Sequence, residues 1–276
     1  MQTTLQRLTS FLAFVLLLPF ALGCGKGEAE KKGSGAGGKM TQEEAGSRWQ
    51  SVNNLKQLVL SFHAYYDRYH AGLPPAGGEP AKEMPKLAGF SWRAYLLPFM
   101  EQDRVFGNLI TGKYPLAKDA KPGEVWNRPD LVKLTVNPFP APLPGKAKEP
   151  WHTYYRVFVG PGTPFEPGKR VTLTREDFPD GLSATILIVE AAEPVPWPKP
   201  EELPYDPKKP LPKLGGLFSD GFYAAFADGK VRFIRRDTDE KLIRAMITRN
   251  GGEAFYKMPP IPELNDLKKA AGLPVD

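Results

Sequence analysis

Residues 222–234 read FYAAFADGKVRFI, in which two β-rich runs flank the pair Asp228-Gly229. This pair between two such runs is typical of a β-hairpin with a two-residue type I′ turn, which requires positive φ at both turn positions. We therefore predict antiparallel strands over residues 222–227 and 230–234, and we expect Gly229 to adopt positive φ. The hairpin is the strongest short-range structural signal in the chain.

Further strands and a helix are predicted on either side of this hairpin. Residues 152–159 and 182–189 are rich in β-branched and aromatic side chains, which is typical of strands. Downstream, a helix is predicted over residues 239–249, with Thr238 as its N-cap and Asn250-Gly251-Gly252 as its end.

A long amphipathic helix is predicted to begin near Ser47 and to end before Gly72 and Pro74-Pro75. Its apolar residues recur at spacings of three and four, which indicates one continuous buried face. That face comprises Val52, Leu55, Val59, Phe62, Tyr66 and Tyr69, with Leu58 and Tyr65 beside it. Helices that precede a group of strands favour an α+β fold with an antiparallel sheet over a parallel βαβ fold.

The segments between these elements are rich in proline. Ser91 is positioned to cap a short helix, and Pro98 suits the first turn of a second helical piece. Residues 103–150 are predicted to form loops with at most short strands. Residues 190–216 contain eight prolines, so we expect an extended, Pro-rich excursion from the sheet.

Cys24 is the only cysteine in the chain. The basic residue Arg7, the apolar run over residues 11–22 and the small-residue site Ala21-Leu22-Gly23-Cys24 look like a bacterial lipoprotein signal. The apolar run is too short to span a bilayer as a helix. We therefore expect that residues 1–23 are removed and that Cys24 is acylated, with palmitate among its acyl groups. The alternative is an ordinary signal peptide whose cysteine is incidental.

One domain is predicted to follow a flexible segment. Residues 24–46 consist mainly of Gly, Lys, Glu, Ala and Ser, which cannot bury enough apolar surface to fold, so we predict a lipid-anchored tether. With 41% hydrophobic residues, the remainder can form one large core, which we assign to residues 47–258. Residues 259–276 are predicted to be a C-terminal tail. The sequence does not decide the oligomeric state.

The formal net charge of +6 is spread along the chain and is not gathered into a basic stripe. Together with an extracytoplasmic address, this pattern excludes a dedicated nucleic-acid interface. A lipid-anchored position in the cell envelope, facing the periplasm or the outer membrane, is the expected localisation. The membrane, through the N-terminal lipid, and an envelope protein or glycan are the expected partners.

His63, Asp67 and His70 lie at positions i, i+4 and i+7 of the predicted long helix, so they fall on one face. This spacing suggests a zinc site, but a closed structural site uses four ligands and His152 is the only other histidine. The alternative is a half-buried histidine that binds a carboxylate one turn away. We predict this structural role, with no metal and no cofactor.

The Pro-rich excursion carries the candidate ligand-binding residues. Trp197 and Tyr205 lie between its prolines, where a pre-ordered backbone can present aromatic rings to a sugar or a peptide. Alternatively, Trp197 is buried and pins the excursion to the sheet. Glu190 and Glu193 are the accompanying carboxylates, although carboxylates at strand ends are commonly solvated or paired with lysine.

No motif in the sequence specifies a reaction. The Gly-x-Ser-x-Gly nucleophile elbow, the His-Glu-x-x-His helix and the phosphate-binding Gly-rich loop do not occur. Acylation of Cys24 would also remove the one thiol. We therefore predict that the protein is not an enzyme.

Several ordered blocks resemble a large, uncharacterised family of planctomycetal secreted proteins that carries a solute-binding label. These blocks lie within residues 47–258: Asn53-Asn54-Leu55-Lys56-Gln57, the stretch from His63 to Pro74-Pro75, residues 92–102, 154–162, 180–186, 195–197, 226–229 and 248–253. The resemblance implies a pilin-like α+β domain, in which a long N-terminal helix packs on an antiparallel sheet, and it implies no established activity.

This chain differs from the family pattern at its N-terminus, where a lipoprotein signal and tether replace the membrane-spanning first helix of many members. Fibre assembly through that helix is therefore not expected. The sequence predicts a lipid-anchored envelope protein with a non-enzymatic structural or interaction role. The alternatives are a solute- or glycan-binding lipoprotein that uses the Pro-rich excursion, and an enzyme of unknown reaction.

Overall fold

The computed structural model describes residues 40–143, 146, 149–252 and 268–274 of the 276-residue chain. The predicted signal peptide, Cys24 and the tether up to residue 39 lie outside the described residues, as do residues 253–267. The helices are α1 (Gln42–Tyr69), α2 (Trp92–Leu96), α3 (Asp103–Ile110), α4 (Pro129–Val132) and α5 (Glu240–Ile247). The strands are β1 (His152–Arg156), β2 (Phe158–Val159), β3 (Ile186–Pro196), β4 (Leu203–Pro204), β5 (Gly221–Phe226) and β6 (Val231–Arg235).

The main sheet has four antiparallel strands in the order β1-β3-β5-β6, which confirms the predicted α+β class. The short strands β2 and β4 form a separate parallel pair. Helix α1 covers one face of the main sheet, where Leu187, Tyr223 and Ala225 join its core. Helix α5 and part of the Pro-rich excursion cover the other face. The sheet is therefore buried between two layers.

Helix α1 begins at Gln42, not near Ser47, so the predicted tether overlaps the first turn of the helix. The Thr41 side chain accepts a hydrogen bond from the Glu44 amide, and this N-cap moves the start upstream of the apolar stripe. The helix ends at Tyr69 as predicted, and His70 closes it with a left-handed φ of 46°. Among the described residues, no helix is both long enough and apolar enough to cross a membrane.

Several boundaries differ from the sequence predictions. Residues 103–150 contain the helices α3 and α4, where we expected loops and at most short strands. Strand β3 begins at Ile186 because residues 182–185 bind the hairpin loop instead; the Asp228 amide, for example, donates to the Leu182 carbonyl at 3.1 Å. Asp239, not Thr238, caps α5 by accepting a hydrogen bond from the Lys241 amide. As predicted, Ser91 caps α2, and Pro98 lies in the first turn of a second helical piece, the short 3-10 helix Leu97–Phe99.

The hairpin between β5 and β6 is present, but its turn is not type I′. Gly229 has a φ of 84°, whereas Asp228 does not adopt positive φ. The Gly229 amide donates to the Phe226 carbonyl at 3.0 Å, and the Phe226 amide donates to the Lys230 carbonyl at 2.8 Å. The loop therefore has three residues and ends in a left-handed glycine, which is the second common hairpin type. Asp228 instead accepts a hydrogen bond from the Lys230 amide and pairs with Arg232.

Substitution of Gly229 by valine is expected to lower the free energy of unfolding by about 1–3 kcal/mol. An added Cβ would meet no atom within 4 Å, so the loss comes from the left-handed backbone and not from a clash. Thermal denaturation measures the effect. Gly229→Asn is the matched control, because asparagine tolerates this conformation better, and equal melting temperatures for Gly229→Val and the wild type would contradict the turn geometry.

Candidate functional site

Glu190 lies where strand β3 exchanges one neighbour for another. Val189 still pairs with Ala224 of β5, whereas the Glu190 carbonyl accepts a hydrogen bond from the Gly215 amide at 3.0 Å. At this fork the Tyr223 amide donates to Glu190 Oε2 at 2.8 Å. The carboxylate thus serves as the acceptor for a strand amide at the point where the two neighbouring segments separate.

The same carboxylate also connects the sheet to α1. The Ser51 hydroxyl of α1 donates to Glu190 Oε1, and the Tyr155 hydroxyl of β1 lies 2.9 Å from Ser51 Oγ. Asn54 Nδ2 donates to the Tyr155 hydroxyl at 3.2 Å. We call Ser51, Asn54, Tyr155 and Glu190 the Glu190 cluster. It is a continuous polar network inside an otherwise apolar interface between helix and sheet.

Burial raises the pKa of Glu190 to about 7, against the opposing effects of the Ser51 and Tyr223 hydrogen bonds and the charge of Arg48. Burial and the nearby Glu190 carboxylate likewise raise the pKa of Tyr155. A carboxyl group that titrates near neutrality is often catalytic. Glu190 and Tyr155 are, however, 0% exposed, so no substrate can reach them. The cluster holds α1 against the sheet.

The predicted ligand-binding residues do not converge on one surface. Trp197 is 0% exposed, and its ring stacks on Phe139 with centroids 5.4 Å apart. Tyr205 is buried against Phe158, and its amide donates to the Val159 carbonyl at 2.8 Å. Glu193 is exposed, so it does not form a carboxylate pair with the buried Glu190. These positions agree with the alternative in which Trp197 pins the excursion to the core.

A buried ion pair fastens the excursion to α2. Arg93 Nη1 donates to Glu202 Oε1 at 2.8 Å, and the side chains are 0% and 2% exposed. Arg93 Nε also donates to the Tyr155 carbonyl at 3.1 Å, and the Val157 amide donates to Glu202 Oε2 at 3.0 Å. Burial lowers the pKa of Arg93 and raises that of Glu202, although each charge opposes the other's shift. This pair therefore has a structural role.

One hollow on the surface does belong to the Pro-rich excursion. It has a volume of about 640 Å³, and all of its lining residues except Pro161 come from the segment 204–212. Asp206 shapes this segment by accepting a hydrogen bond from the Lys208 amide at 2.9 Å, and Arg244 Nη2 donates to the Lys209 carbonyl at 2.7 Å. Of the predicted ligand-binding residues, Tyr205 lines this hollow, whereas Trp197, Glu190 and Glu193 do not.

A second cavity, which the sequence reasoning missed, lies between residues 71–83 and residues 159–171. We call it the Phe165 groove; it has a volume of about 330 Å³. Its apolar lining includes Leu73, Pro74, Ala76, Ala81, Val159 and Phe165. The ring of Phe165 lies 5.7 Å from that of Phe62 in α1, so the floor of the groove is part of the main core. In the sequence, Pro74-Pro75 was interpreted only as the end of the long helix and as part of the family resemblance.

Close backbone contact holds the two walls of the Phe165 groove together. The Leu73 amide donates to the Val171 carbonyl at 2.7 Å. Gly72 has a φ of 90°, and a Cβ added there would lie 2.8 Å from both the Val171 carbonyl oxygen and Arg170 Cγ. Glycine is therefore required for this approach. At the rim, Arg170 forms an ion pair with Glu83 across the groove.

Glu166 belongs to the second wall and is anchored from two sides. Arg249 Nη2 donates to its carboxylate at 3.0 Å, and Lys169 Nζ lies 2.9 Å from it. Although burial alone would raise the pKa of Glu166, these two hydrogen bonds hold it below its ordinary value. Arg249 also donates to the Asp177 carbonyl at 2.8 Å, so the region after α5 supports this wall.

Of the three residues weighed as metal ligands, His63 contacts a backbone carbonyl and not, as was predicted, the Asp67 carboxylate one turn away. His63 Nε2 lies 2.9 Å from the Ala227 carbonyl oxygen and so joins α1 to the hairpin loop. Asp67 is exposed, and His70 forms the C-cap of α1. In the described part of the chain, no group of three or more His, Cys, Asp or Glu side chains is arranged to hold a metal ion.

Comparison with known protein families gives a match to residues 42–136, the first part of the described domain. No curated protein and no solved structure matches the chain significantly. The matched region ends before β1, so it does not include the hairpin or the Pro-rich excursion. Over residues 42–136, the chain is similar to the family SBP_bac_10, described as a protein of unknown function (DUF1559).

Proposed function

We propose that the protein is a lipid-anchored component of the cell envelope with a non-enzymatic structural or interaction role. The lipoprotein-like site at Ala21-Leu22-Gly23-Cys24 supports the anchor. The domain begins at Gln42, so the residues between Cys24 and α1 are available as a tether. A position in the envelope, facing the periplasm or the outer membrane, follows from this anchor.

The observation that carries the non-enzymatic role is the burial of Trp197 and Glu190. Both residues were candidates for ligand contact, yet neither has exposed surface, and both connect segments of the fold. An aromatic residue without exposed surface contributes packing and not recognition. We therefore propose that the Pro-rich excursion covers the sheet and presents its exposed prolines and lysines to an envelope partner. Capture of such a partner from solubilised envelope tests this role directly.

We further propose a pilin-like head of the planctomycetal secreted type. The arrangement that supports this is the 28-residue helix α1 packed lengthwise on an antiparallel sheet. Because the tether replaces a membrane-spanning start of the helix, we expect the domain to remain a lipid-anchored unit and not to assemble into a fibre.

Replacement of Cys24 by serine is expected to move the protein from the membrane fraction to the soluble fraction. Serine cannot accept the acyl chains, and a protein without lipid has no other predicted anchor in its N-terminal segment. Gly25, not aspartate, follows the cysteine, so the wild type is expected in the outer membrane of a diderm cell. Fractionation with an antibody to the domain measures this. Membrane-bound mature protein without acyl chains would contradict the proposed anchor.

A second candidate function is solute binding by the anchored domain, and the Phe165 groove favours it. Ligand sites are typically concave, mostly apolar cavities of roughly 300–1,000 Å³ with a few polar groups. The groove, at about 330 Å³, lies at the lower end of this range and has charged residues at its rim. Binding measurements with small solutes test this function directly.

A further inference from the structure

The walls of the Phe165 groove carry opposite charges that meet across its opening. Glu83 on one wall and Arg170 on the other form an ion pair, and their side chains are 15% and 52% exposed, respectively. Arg170 can therefore rotate into solvent, whereas Glu83 is held in a largely buried position. A ligand that enters between them must provide a new partner for the Glu83 carboxylate, because an unpaired buried charge is strongly unfavourable.

The charges that line the groove balance. Its acidic side chains are Glu79, Glu83 and Glu166, and its basic side chains are Lys82, Lys169 and Arg170. A balanced rim does not attract a strongly charged polymer, because its long-range field is weak. It suits a ligand that carries both signs of charge and no net charge.

The interior of the groove sets the size and the polarity of the ligand. Phe165, Val159 and Ala81 provide an apolar floor, and the volume of about 330 Å³ accommodates a small molecule. Insertion of a zwitterion would replace one ion pair by two, with the ligand's ammonium on Glu83 and its carboxylate on Arg170. Its apolar part would then lie on Phe165.

We propose that the Phe165 groove binds a free α-amino acid with an apolar side chain, held between Glu83 and Arg170. This inference rests on the solute-binding function proposed above and adds the ligand class to it. Since Glu83 is the more buried partner, the ligand's ammonium contributes more to affinity than its carboxylate does.

Titration calorimetry and thermal shift of the purified full-length protein with L-leucine test the proposal. L-Leucine is expected to raise the melting temperature. L-Leucinamide, which lacks the carboxylate, is expected to bind about tenfold more weakly, and N-acetyl-L-leucine, which lacks the ammonium, more weakly still. Arg170→Ala is expected to weaken leucine binding by about tenfold and to abolish the difference between leucine and leucinamide.

Matched variants separate binding from folding. Arg175 is an exposed arginine close in sequence that does not line the groove, so Arg175→Ala is expected to leave leucine binding unchanged. Glu83→Gln keeps the shape of the side chain and is expected to remove the preference for a free ammonium. Equal affinity for leucine and N-acetyl-leucine, or no leucine binding at millimolar concentration, would overturn the proposal. If N-acetylglucosamine binds at the groove and leucine does not, the ligand class is wrong but solute binding stands.

Discussion

Replacement of Arg93 by methionine is expected to lower the free energy of unfolding by about 3–5 kcal/mol, because it leaves Glu202 buried without its partner. The Tyr155 carbonyl loses a donor in the same variant. Urea denaturation at neutral pH, followed by tryptophan fluorescence, measures the loss. Trp92 and Trp197 are both fully buried, so their emission reports the unfolding of the core around this pair.

A double variant shows whether the loss comes from the unpaired charge. Burial disfavours the charged form of both Arg93 and Glu202, so replacement of both by apolar residues removes the desolvation penalty together with the attraction. Arg93→Met combined with Glu202→Leu is therefore expected to be more stable than Arg93→Met alone. Arg235→Met, which breaks an exposed pair with Asp237, is the surface control and should show no measurable loss. Equal losses in the single and double variants would contradict the explanation.

The stability of the wild type is expected to fall, relative to a Glu190→Gln variant, as the pH rises from about 4.5 to about 7. The pKa of Glu190 is raised from its ordinary value of 4.5 to about 7 in the folded protein. Between these values the folded state keeps a proton that the unfolded state has released, so a higher pH favours unfolding. From below pH 4.5 to above pH 7, the difference in the free energy of unfolding between the two proteins should therefore change by about 3 kcal/mol.

Urea unfolding of both proteins at several pH values measures this difference. Glutamine keeps an oxygen to accept the Tyr223 amide and adds an amide that can donate to Ser51 Oγ, so the fold should persist. Other titrating groups are present in both proteins and cancel in the comparison. Glu193→Gln is the matched control, since Glu193 is exposed on the same strand. If the wild type and Glu190→Gln showed parallel pH dependence, Glu190 would not titrate in a buried environment.

The local elements were predictable because their causes act within a few residues. The apolar spacing of α1, the Ser91 cap and the hairpin around Gly229 all depend on near neighbours in sequence. Two of the wrong boundaries also have local causes, whereas the extra residue of the hairpin loop depends on a distant segment. Thr41 and Asp239 provide caps at positions that the apolar pattern does not mark, and the hairpin loop gained one residue because its amides bind residues 182–185.

The sequence by itself determined the α+β class, the long first helix and the hairpin, because periodicity, capping and turn chemistry are local. Only the tertiary structure decided the contact partners of Glu190 and Arg170. An irregularity in β3 between Ile186 and Ile188 breaks the alternation of its side chains, and so Glu190 faces Ser51 of α1 inside the core. Arg170 meets Glu83, 87 positions away in sequence, because Gly72 lets two loops approach. Such contacts depend on how distant segments pack, and no local pattern in the sequence encodes that packing.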